Sequence, residues 1–423
     1  MAHGFSKTAL SNGIRVISER IPSVRSVSIG VWINVGSRNE APQANGVSHF
    51  VEHMLFKRTA TRSAFQIAQA LEALGGSINA FTAREHTCYY ARILNRHLPQ
   101  AMDVLGDILN NSILAPHDLK KEKSVIIEEI KDIADTPSEY VHDLLGAQVW
   151  KHHPLGRPIM GSAKNITALA RATVLRYIDE HYCGPNTVVA AAGDLNHDHL
   201  VALTRKCFAS WSPATVSIPD QAPQQSGFSI RAYRSRTKQT QVCLGFPSIA
   251  FADEHRYPLL AANTYLSGGM SSRLFQTVRE KYGYCYSIYS YQEFFRDIGL
   301  FCVYFGADDK YVLKATNLIL RELRRLKESL LTRSQVAEIK EQLKGSLMLS
   351  QESTYNRMNR IARQELMLGS YIDLDDTIRH IDAITAAQIR DVANRIFAPE
   401  RLTMCTLGPT RQSELEAIRW SAL

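Results

Sequence analysis

The feature that most constrains the fold is a non-periodic segment near the middle of the chain. Between Trp211 and Phe228 the sequence contains repeated Pro, Gln and Ser residues and shows neither helical nor strand periodicity. This segment divides the 423 residues into two stretches of similar length, and each is long enough to form a domain. The sequence therefore predicts two domains, residues 1–212 and 228–423, joined by a linker at 213–227.

The two stretches repeat one order of predicted elements. The matched elements are the strand–turn–strand segments at 80–94 and 286–305, the helices starting at 98 and 310, and the long helices at 118–135 and 334–349. Each pair is offset by roughly 212 residues, a longer period than that of solenoid repeats. This pattern predicts an internal duplication in the α+β class. We expect two homologous domains, each with a mainly antiparallel sheet and helices packed against it.

Local signals in the first stretch predict its elements. Asn12-Gly13 tolerates positive φ angles and predicts a hairpin. Asp118 is a fair N-cap for the first long helix. The remaining predicted elements are a buried strand at 27–35, a compact helix at 46–57, a helix at 63–74 and the strand–turn–strand region at 78–94.

The compact helix carries the motif His49-Phe50-Val51-Glu52-His53. Residues four apart lie on one face of a helix, so His49 and His53 can point the same way. Neutral imidazoles at this spacing can bind one zinc ion. Glu52 lies one turn from His49 and can approach the ion without being a ligand. The order H-x-x-E-H is the reverse of the commoner zinc-peptidase motif.

A catalytic zinc site needs a third protein ligand and an open position. The long helix offers Glu128 and Glu129, which are adjacent and must face differently. Glu122 lies seven residues before Glu129, on roughly the same stripe of the helix. The residues alone leave the choice between the two carboxylates open.

Charge and hydropathy argue against two other classes of function. The net charge is +8, but the basic residues are spread along the chain, without zinc-finger spacing or the aromatic–basic pattern of RNA-binding domains. We therefore predict no nucleic-acid partner. The longest stretch without charged residues, Tyr257 to Ser272, is too short and too polar for a membrane span.

The N-terminus and the cysteines indicate the cellular compartment of the protein. The first residues contain neither an apolar signal region nor an Arg-rich presequence, which predicts a cytosolic or already mature protein. The seven cysteines are odd in number, form no Cys-x-x-Cys pair and mostly occupy apolar contexts. They are interpreted as small buried hydrophobic residues in a reducing compartment.

With these motifs the sequence resembles the pitrilysin/insulinase-type inverzincins. It is most similar to the branch that contains the β subunit of mitochondrial processing peptidase and its bacterial relatives. The resemblance extends over essentially the whole chain. Further matching segments are Gly75 to Thr82, His153 to Pro158, Ser271 to Phe275 and Arg279 to Gly283.

The resemblance implies a set of roles for the site residues. In this family a Glu ligand follows the motif after about 75 residues, and 75 residues lie between His53 and Glu129. It thus implies that His49, His53 and Glu129 bind one zinc ion per chain and that Glu52 is the general base. Glu122 corresponds to a carboxylate that orients a ligand without touching the metal.

The resemblance also implies a substrate site. Substrate is expected to add as a strand beside Asn79, Ala80, Phe81 and Thr82. An Arg/Tyr pair of the second half, Arg279 with Tyr286, or Tyr284 in another register, is expected to help hold it. The second-half position corresponding to the motif falls near Ala261 to Thr264, which contains no metal ligand. One half is therefore predicted to be catalytic and the other to bind substrate.

The resulting prediction is a zinc-dependent metalloendopeptidase that hydrolyses peptides or unfolded segments. Family chains of this length form half of a clamshell, so a homodimer is expected, with a related partner subunit as the alternative. A non-catalytic scaffold like the core subunits of the respiratory bc1 complex is a second alternative, opposed by the intact motif. Bacterial cytoplasm is the favoured location, and the mitochondrial matrix is the alternative for a mature protein.

Overall fold

A computed structural model describes residues 4–214, 221–224, 227–420 and 423. The chain divides into two compact units, each assembled from three segments. The first comprises residues 1–131, 157–220 and 349–371, and the second comprises residues 132–156, 221–348 and 372–423. Of the predicted linker, residues 215–220 and 225–226 lie outside the described residues.

The strands and helices are numbered in chain order. The strands are β1 (Phe5–Ala9), β2 (Arg15–Arg20), β3 (Ser26–Ile33), β4 (Ser77–Thr82), β5 (Thr87–Leu94), β6 (Thr187–Gly193), β7 (Ser229–Arg234), β8 (Thr240–Ser248), β9 (Ser287–Phe294), β10 (Gly299–Ala307) and β11 (Thr403–Gly408). The helices are α1 (Val47–Leu55), α2 (Ala64–Glu72), α3 (Leu98–Asn110), α4 (Pro116–Ala134), α5 (Pro137–Val149), α6 (Ala163–Ala168), α7 (Arg171–His181), α8 (His197–Cys207), α9 (Arg256–Ser267), α10 (Asp309–Glu328), α11 (Arg333–Ser350), α12 (Thr354–Leu368), α13 (Leu374–Asp382), α14 (Ala386–Ile396) and α15 (Gln412–Glu416).

Each unit contains one mixed sheet, and the two sheets have the same topology. The first has the order β1-β2-β6-β3-β5-β4 and the second has the order β7-β11-β8-β10-β9. In each sheet only one neighbouring pair is parallel, β2 with β6 and β7 with β11. Apart from the additional β1, the strands therefore correspond one to one. This correspondence confirms the predicted α+β class and supports the internal duplication.

Each sheet is covered by helices on both faces. In the first unit, α1 to α4, α7 and α8 contribute to the core on one face, and α12 covers the other. In the second unit, α9, α10 and α14 contribute to one core, and α5 covers the opposite face. This double coverage explains why β10 is buried along its whole length and β3 along all but its first residue.

The helices that cover the second faces are exchanged between the halves of the sequence. Helix α5 lies in the first half of the chain but belongs to the second unit, and α12 has the reverse placement. The sequence predicted two continuous domains, and that division remains a prediction. The compact units also change from one to the other near residue 220, but each consists of several separate segments. The sequence did not indicate this, because the amphipathic pattern of a helix does not reveal which sheet the helix covers.

Helix α12 is fastened to the first sheet by both polar and apolar contacts. The buried hydroxyls of Ser28 and Thr354 are 2.9 Å apart. The Arg357 guanidinium donates to Glu19 over 2.6 Å. Met358 is fully buried between α12 and the sheet. Residues 349–371 are therefore an integral part of the first unit.

Most local predictions agree with the structure, and one boundary is wrong. The Asn-Gly hairpin joins β1 and β2, and the compact helix is α1. Asp118 does not cap α4, which begins at Pro116 and includes Asp118 in its first turn. Among the described residues, no helix is both long and apolar enough to cross a membrane.

A substitution at Met358 tests the role of α12. We expect Met358→Ala to lower the free energy of unfolding by about 2–5 kcal/mol, because it leaves a cavity between helix and sheet. The measurement is urea denaturation followed by circular dichroism. Met348→Ala is the matched control, because its side chain is 49% exposed. Equal losses in the two variants would contradict the assigned packing.

Candidate metal centre

Helix α1 presents the motif residues on its less buried side. Val47, Phe50, Val51 and Met54 are buried in the core of the first unit. The imidazoles of His49 and His53 therefore project together, with ring centroids 4.6 Å apart.

The N-terminus of α1 is held by a buried carboxylate. Glu40 accepts hydrogen bonds from the backbone N–H groups of Gly46 (2.7 Å) and Ser48 (2.8 Å), and from the Asn45 amide (2.8 Å). Gly46 precedes the helix with φ 98°, and a Cβ there would lie 2.5 Å from the Met160 carbonyl oxygen. The Glu40 oxygens satisfy free N–H groups at this helix end. Burial raises the pKa of Glu40, and the hydrogen bonds from Ser48, Gly46 and Asn45 oppose that shift.

Helix α4 brings a carboxylate to the two imidazoles. Glu129 Oε2 lies 3.6 Å from His53 Nε2 and 4.0 Å from His49 Nε2. Its neighbour Glu128 pairs instead with Lys131, at 2.7 Å, and its side chain is 67% exposed. The two adjacent carboxylates thus face differently, and only Glu129 joins the histidines.

A buried carboxylate lies behind His53. Glu122 Oε2 is 3.2 Å from His53 Nδ1, and Glu122 Oε1 is 3.0 Å from Lys57 Nζ. If His53 Nδ1–H donates to Glu122, the Nε2 lone pair faces Glu129. Lys57 was missed in the sequence analysis, although it follows His53 by one helical turn and lies on the same stripe.

The Glu52 carboxylate lies beside the histidines and bonds to the neighbouring strand. Thr82 donates to Glu52 Oε2 over 2.5 Å. Burial raises the pKa of Glu52, while the Thr82 hydrogen bond and the nearby His53 oppose that shift. For His49, burial and the adjacent His53 lower the pKa to about 4. A neutral His49 at physiological pH is the form that can coordinate a metal ion.

The three donor groups fit a zinc ion. The coordinating atoms of His49, His53 and Glu129 lie within 4.8 Å of one another. Nitrogen and oxygen ligands of a tetrahedral zinc are separated by about 3.3 Å, so a small inward movement would suffice. Two imidazoles and one carboxylate also leave one position open. Nδ1 of His49 is buried and has no hydrogen-bond partner among the described residues.

The expected substrate strand is an edge strand. Residues 79–82 lie in β4, which pairs with β5 on one side only. Ala80 packs toward the core that contains α1, and Phe81 packs toward Trp32 on the opposite face. Thr82 lies on the Ala80 side and reaches Glu52, whereas Asn79 is exposed. One side of β4 therefore borders the candidate centre. Its outer edge faces no other strand among the described residues, and Asn79 Oδ1 accepts a hydrogen bond from the backbone N–H of Ala80 there.

The expected Arg/Tyr pair lies in the second unit. The Arg279 guanidinium stacks over the Tyr286 ring at 4.8 Å from its centroid. Tyr284 instead stacks between Tyr282 and Tyr311. Within this unit Tyr286 is 75% exposed and Arg279 is partly buried. Arg279 thus contacts Tyr286, and the register of the substrate-binding pair stays a prediction.

Comparison with known families gives two consecutive matches. Residues 15–163 match the insulinase family, peptidase family M16, and residues 168–343 match the peptidase M16 inactive domain. Among curated proteins, the zinc protease YmxG of Bacillus subtilis is 39% identical over 399 residues, covering 94% of this chain and 97% of its own. A Streptomyces coelicolor zinc protease is 40% identical over 418 residues, covering 96% and 90%.

Solved structures share the fold at lower identity. A peptidase M16 inactive-domain structure from Pseudomonas fluorescens has a TM-score of 0.90 at 20% identity and covers 96% of this chain and 98% of its own. A protease from Helicobacter pylori has a TM-score of 0.88 at 22% identity, with 96% and 99% coverage. A chain of complex III from Candida albicans has a TM-score of 0.82 at 22% identity, with 96% coverage of both.

The buried Glu40 cap can be tested by a conservative substitution. We expect Glu40→Gln to lower the free energy of unfolding by about 1–3 kcal/mol, because the amide replaces one acceptor with a donor that faces backbone N–H groups. Guanidinium denaturation measures this loss. Glu72→Gln, at an exposed helical position, is the control and should change stability little. A Glu40 variant as stable as the wild type would show that the cap contributes nothing.

Proposed function

Since the chain belongs to peptidase family M16, the insulinase family, and is a zinc metallopeptidase, we propose that it is an endopeptidase acting on peptides or unfolded segments. In this proposal His49, His53 and Glu129 hold one zinc ion per chain, and Glu52 is the general base. The observation that carries the proposal is the convergence of two imidazoles and one carboxylate beside a second, buried carboxylate.

The chain's own groups divide the chemical work. When bound, zinc supplies Lewis acidity toward a water molecule and the scissile carbonyl group. Glu52 takes the proton of the attacking water and transfers it to the leaving amine. Thr82 occupies Oε2 of Glu52 and orients the carboxylate, so Oε1 is the atom that receives the proton.

The groups behind His53 act as positioning residues. Glu122 accepts the Nδ1–H of His53 and so selects the tautomer whose Nε2 can bind metal. Lys57 Nζ lies 3.0 Å from Glu122 Oε1 and holds the other carboxylate oxygen in place. This chain of contacts fixes the ring of one ligand before metal arrives.

Substrate is proposed to bind by strand addition. The outer edge of β4, at Asn79 to Thr82, faces no neighbouring strand among the described residues, and an extended peptide is proposed to pair there and to displace the Asn79 side chain from the Ala80 N–H. This mode forms hydrogen bonds to the backbone of an extended peptide. It therefore selects unfolded segments over folded proteins, whose backbone groups are already paired. Arg279 and Tyr286 are proposed to contribute to substrate binding, because the stacked pair presents a guanidinium group and a phenol side by side.

The proposed assembly is a homodimer in the bacterial cytoplasm, and a related partner subunit is the alternative. A scaffold role has one supporting observation, since a chain in a respiratory complex III structure shares the fold. The complete donor set argues against it, because a scaffold has no physical need for two imidazoles and two carboxylates at one point.

Cleavage assays with Glu52→Gln test the general base. We expect this variant to keep its zinc and to cleave about 10²- to 10⁴-fold more slowly, because the amide cannot accept the proton. The assay is digestion of a mixed library of unstructured peptides by the purified chain, with mass determination of the oligomer in the same sample. A chelator should abolish wild-type cleavage.

The outcomes separate the alternatives. Cleavage by Glu52→Gln at the wild-type rate would show that another group is the base. A zinc-bound wild-type chain that cleaves no peptide by itself would favour the partner-subunit alternative. A chain without activity and without zinc at His49, His53 and Glu129 would favour the scaffold.

A comparison of neighbouring carboxylates tests the metal ligands. We expect Glu129→Gln to weaken zinc binding more than about 100-fold, which exceeds the usual effect of losing an outer-shell partner. Glu128→Gln is the matched control and should bind zinc like the wild type, since its side chain pairs with Lys131. Zinc titration against a competing chelator measures both affinities. Stronger loss in the Glu128 variant would reverse the ligand assignment.

A further inference from the structure

A second group of metal-ligating side chains lies in the second unit, away from the sequence motif. It consists of His142 on α5, Cys243 on β8 and Cys302 on β10. Their coordinating atoms lie within 4.8 Å of one another. The sequence analysis interpreted the cysteines only as buried hydrophobic residues, because roughly 160 residues separate His142 from Cys302 and no local spacing connects them.

The sheet register places the two thiols on one face. In the antiparallel pairing of β8 with β10, Cys243 is opposite Tyr304, and Cys302 is opposite Gly245. The cysteines are thus diagonal neighbours across the ladder, and both lie in the apolar layer beneath α5. Gly245 allows α5 to pack closely on the sheet, because a Cβ at this position would lie 2.9 Å from the Leu145 side chain. His142 is thereby brought over the two sulfur atoms.

The distance between sulfur and nitrogen suits a shared zinc ion. Cys243 Sγ is 3.6 Å from His142 Nδ1. With zinc–sulfur and zinc–nitrogen bonds of about 2.3 Å and 2.1 Å, a tetrahedral ion separates these two ligand atoms by about 3.6 Å. The pair therefore already has the spacing that the ion would require.

Two tyrosines orient the imidazole. Tyr289 Oη is 3.2 Å from His142 Nε2, and Tyr291 Oη is 2.8 Å from Nδ1. When Nε2–H donates to Tyr289, the unprotonated Nδ1 faces both the Tyr291 hydroxyl and the Cys243 sulfur. An outer partner that fixes the tautomer of a histidine is the usual companion of a metal-bound imidazole.

Burial and charge favour a divalent ion. Cys243 and Cys302 are fully buried, so an uncompensated charge would be costly. A divalent cation that displaces the two thiol protons is bound by two thiolates and one neutral imidazole. Its two positive charges balance the two negative charges, so the complex has no net charge. Sulfur and imidazole ligands select zinc over magnesium or calcium.

We propose that His142, Cys243 and Cys302 form a second zinc site, completed by the hydroxyl of Tyr291. Two protons leave the cysteine thiols for solvent as the ion binds. The site ties α5 to β8 and β10 and so fastens the exchanged helix to the sheet of its unit. Its role is structural, because four protein ligands leave no position for substrate.

Cobalt(II) is the probe that separates the two sites. Thiolate ligands give cobalt an intense near-ultraviolet charge-transfer absorption, and the proposed catalytic site contains only nitrogen and oxygen ligands. We expect the metal-free full-length chain to develop this absorption with cobalt(II) and to bind a second ion per chain. Zinc should displace the cobalt and abolish the band. The signal does not depend on peptidase activity, so it is independent of the catalytic assignment.

Cysteine variants localise the signal. Cys243→Ser and Cys302→Ser should each reduce or abolish the band, while Cys285→Ser, a buried cysteine elsewhere in the same unit, should keep it. A folded wild-type chain without a thiolate band would overturn the proposal, and this measurement requires no variant. Equal loss in Cys285→Ser, or an unchanged band in both site variants, would also overturn it.

Discussion

The structure depends on covering both faces of each sheet. Strand β10 is buried along its whole length, and β3 is buried except at its first residue, so neither sheet can leave one face in water. Each half of the sequence supplies a helix for this purpose to the other unit, α5 to the second and α12 to the first. Burying a large apolar side chain contributes roughly 1.5–3 kcal/mol, and α12 alone buries Met358 and Ile361 almost completely. Neither half of the sequence therefore contains a complete unit by itself.

This constraint also determines where chemistry can be placed. The candidate catalytic centre lies on the face opposite α12, where α1 and α4 contribute to the main core of the first unit. Apolar residues on α1 and Ile126 on α4 hold the backbones in place, so His49 and Glu129 need little rearrangement to share an ion. Glu40 fixes the start of α1 from behind. The proposed ligands thus belong to packed helices, as a preorganised metal site requires.

The sequence predicted those features whose residues lie close together along the chain. His49 and His53 are four residues apart, so helical geometry alone aligns them. The preference for Glu129 over Glu128 as the third ligand needed either the family resemblance or the structure. The position of a carboxylate on a helix does not reveal which residues of another helix it will face. The structure adds Lys57, which contacts Glu122, and a contact of Thr82 with Glu52 that the sequence did not predict. The exchange of α5 and α12 had no sequence signal, since an amphipathic helix fits either apolar sheet face equally well.

The same reasoning explains why the two metal groups differ. The histidine–carboxylate group combines a local motif with one distant residue and lies beside an edge strand, so its side chains are partly exposed and a position stays open. The cysteine–histidine group draws its members from a helix and two strands within one apolar layer, where both sulfur atoms are buried. Partial exposure with oxygen and nitrogen donors suits an ion that must meet water and substrate. Deep burial with sulfur donors suits an ion that holds chain segments together. The duplicated fold thus provides two corresponding sheets, and the donor residues added to each determine whether its proposed site is suited to chemistry or to holding chain segments together.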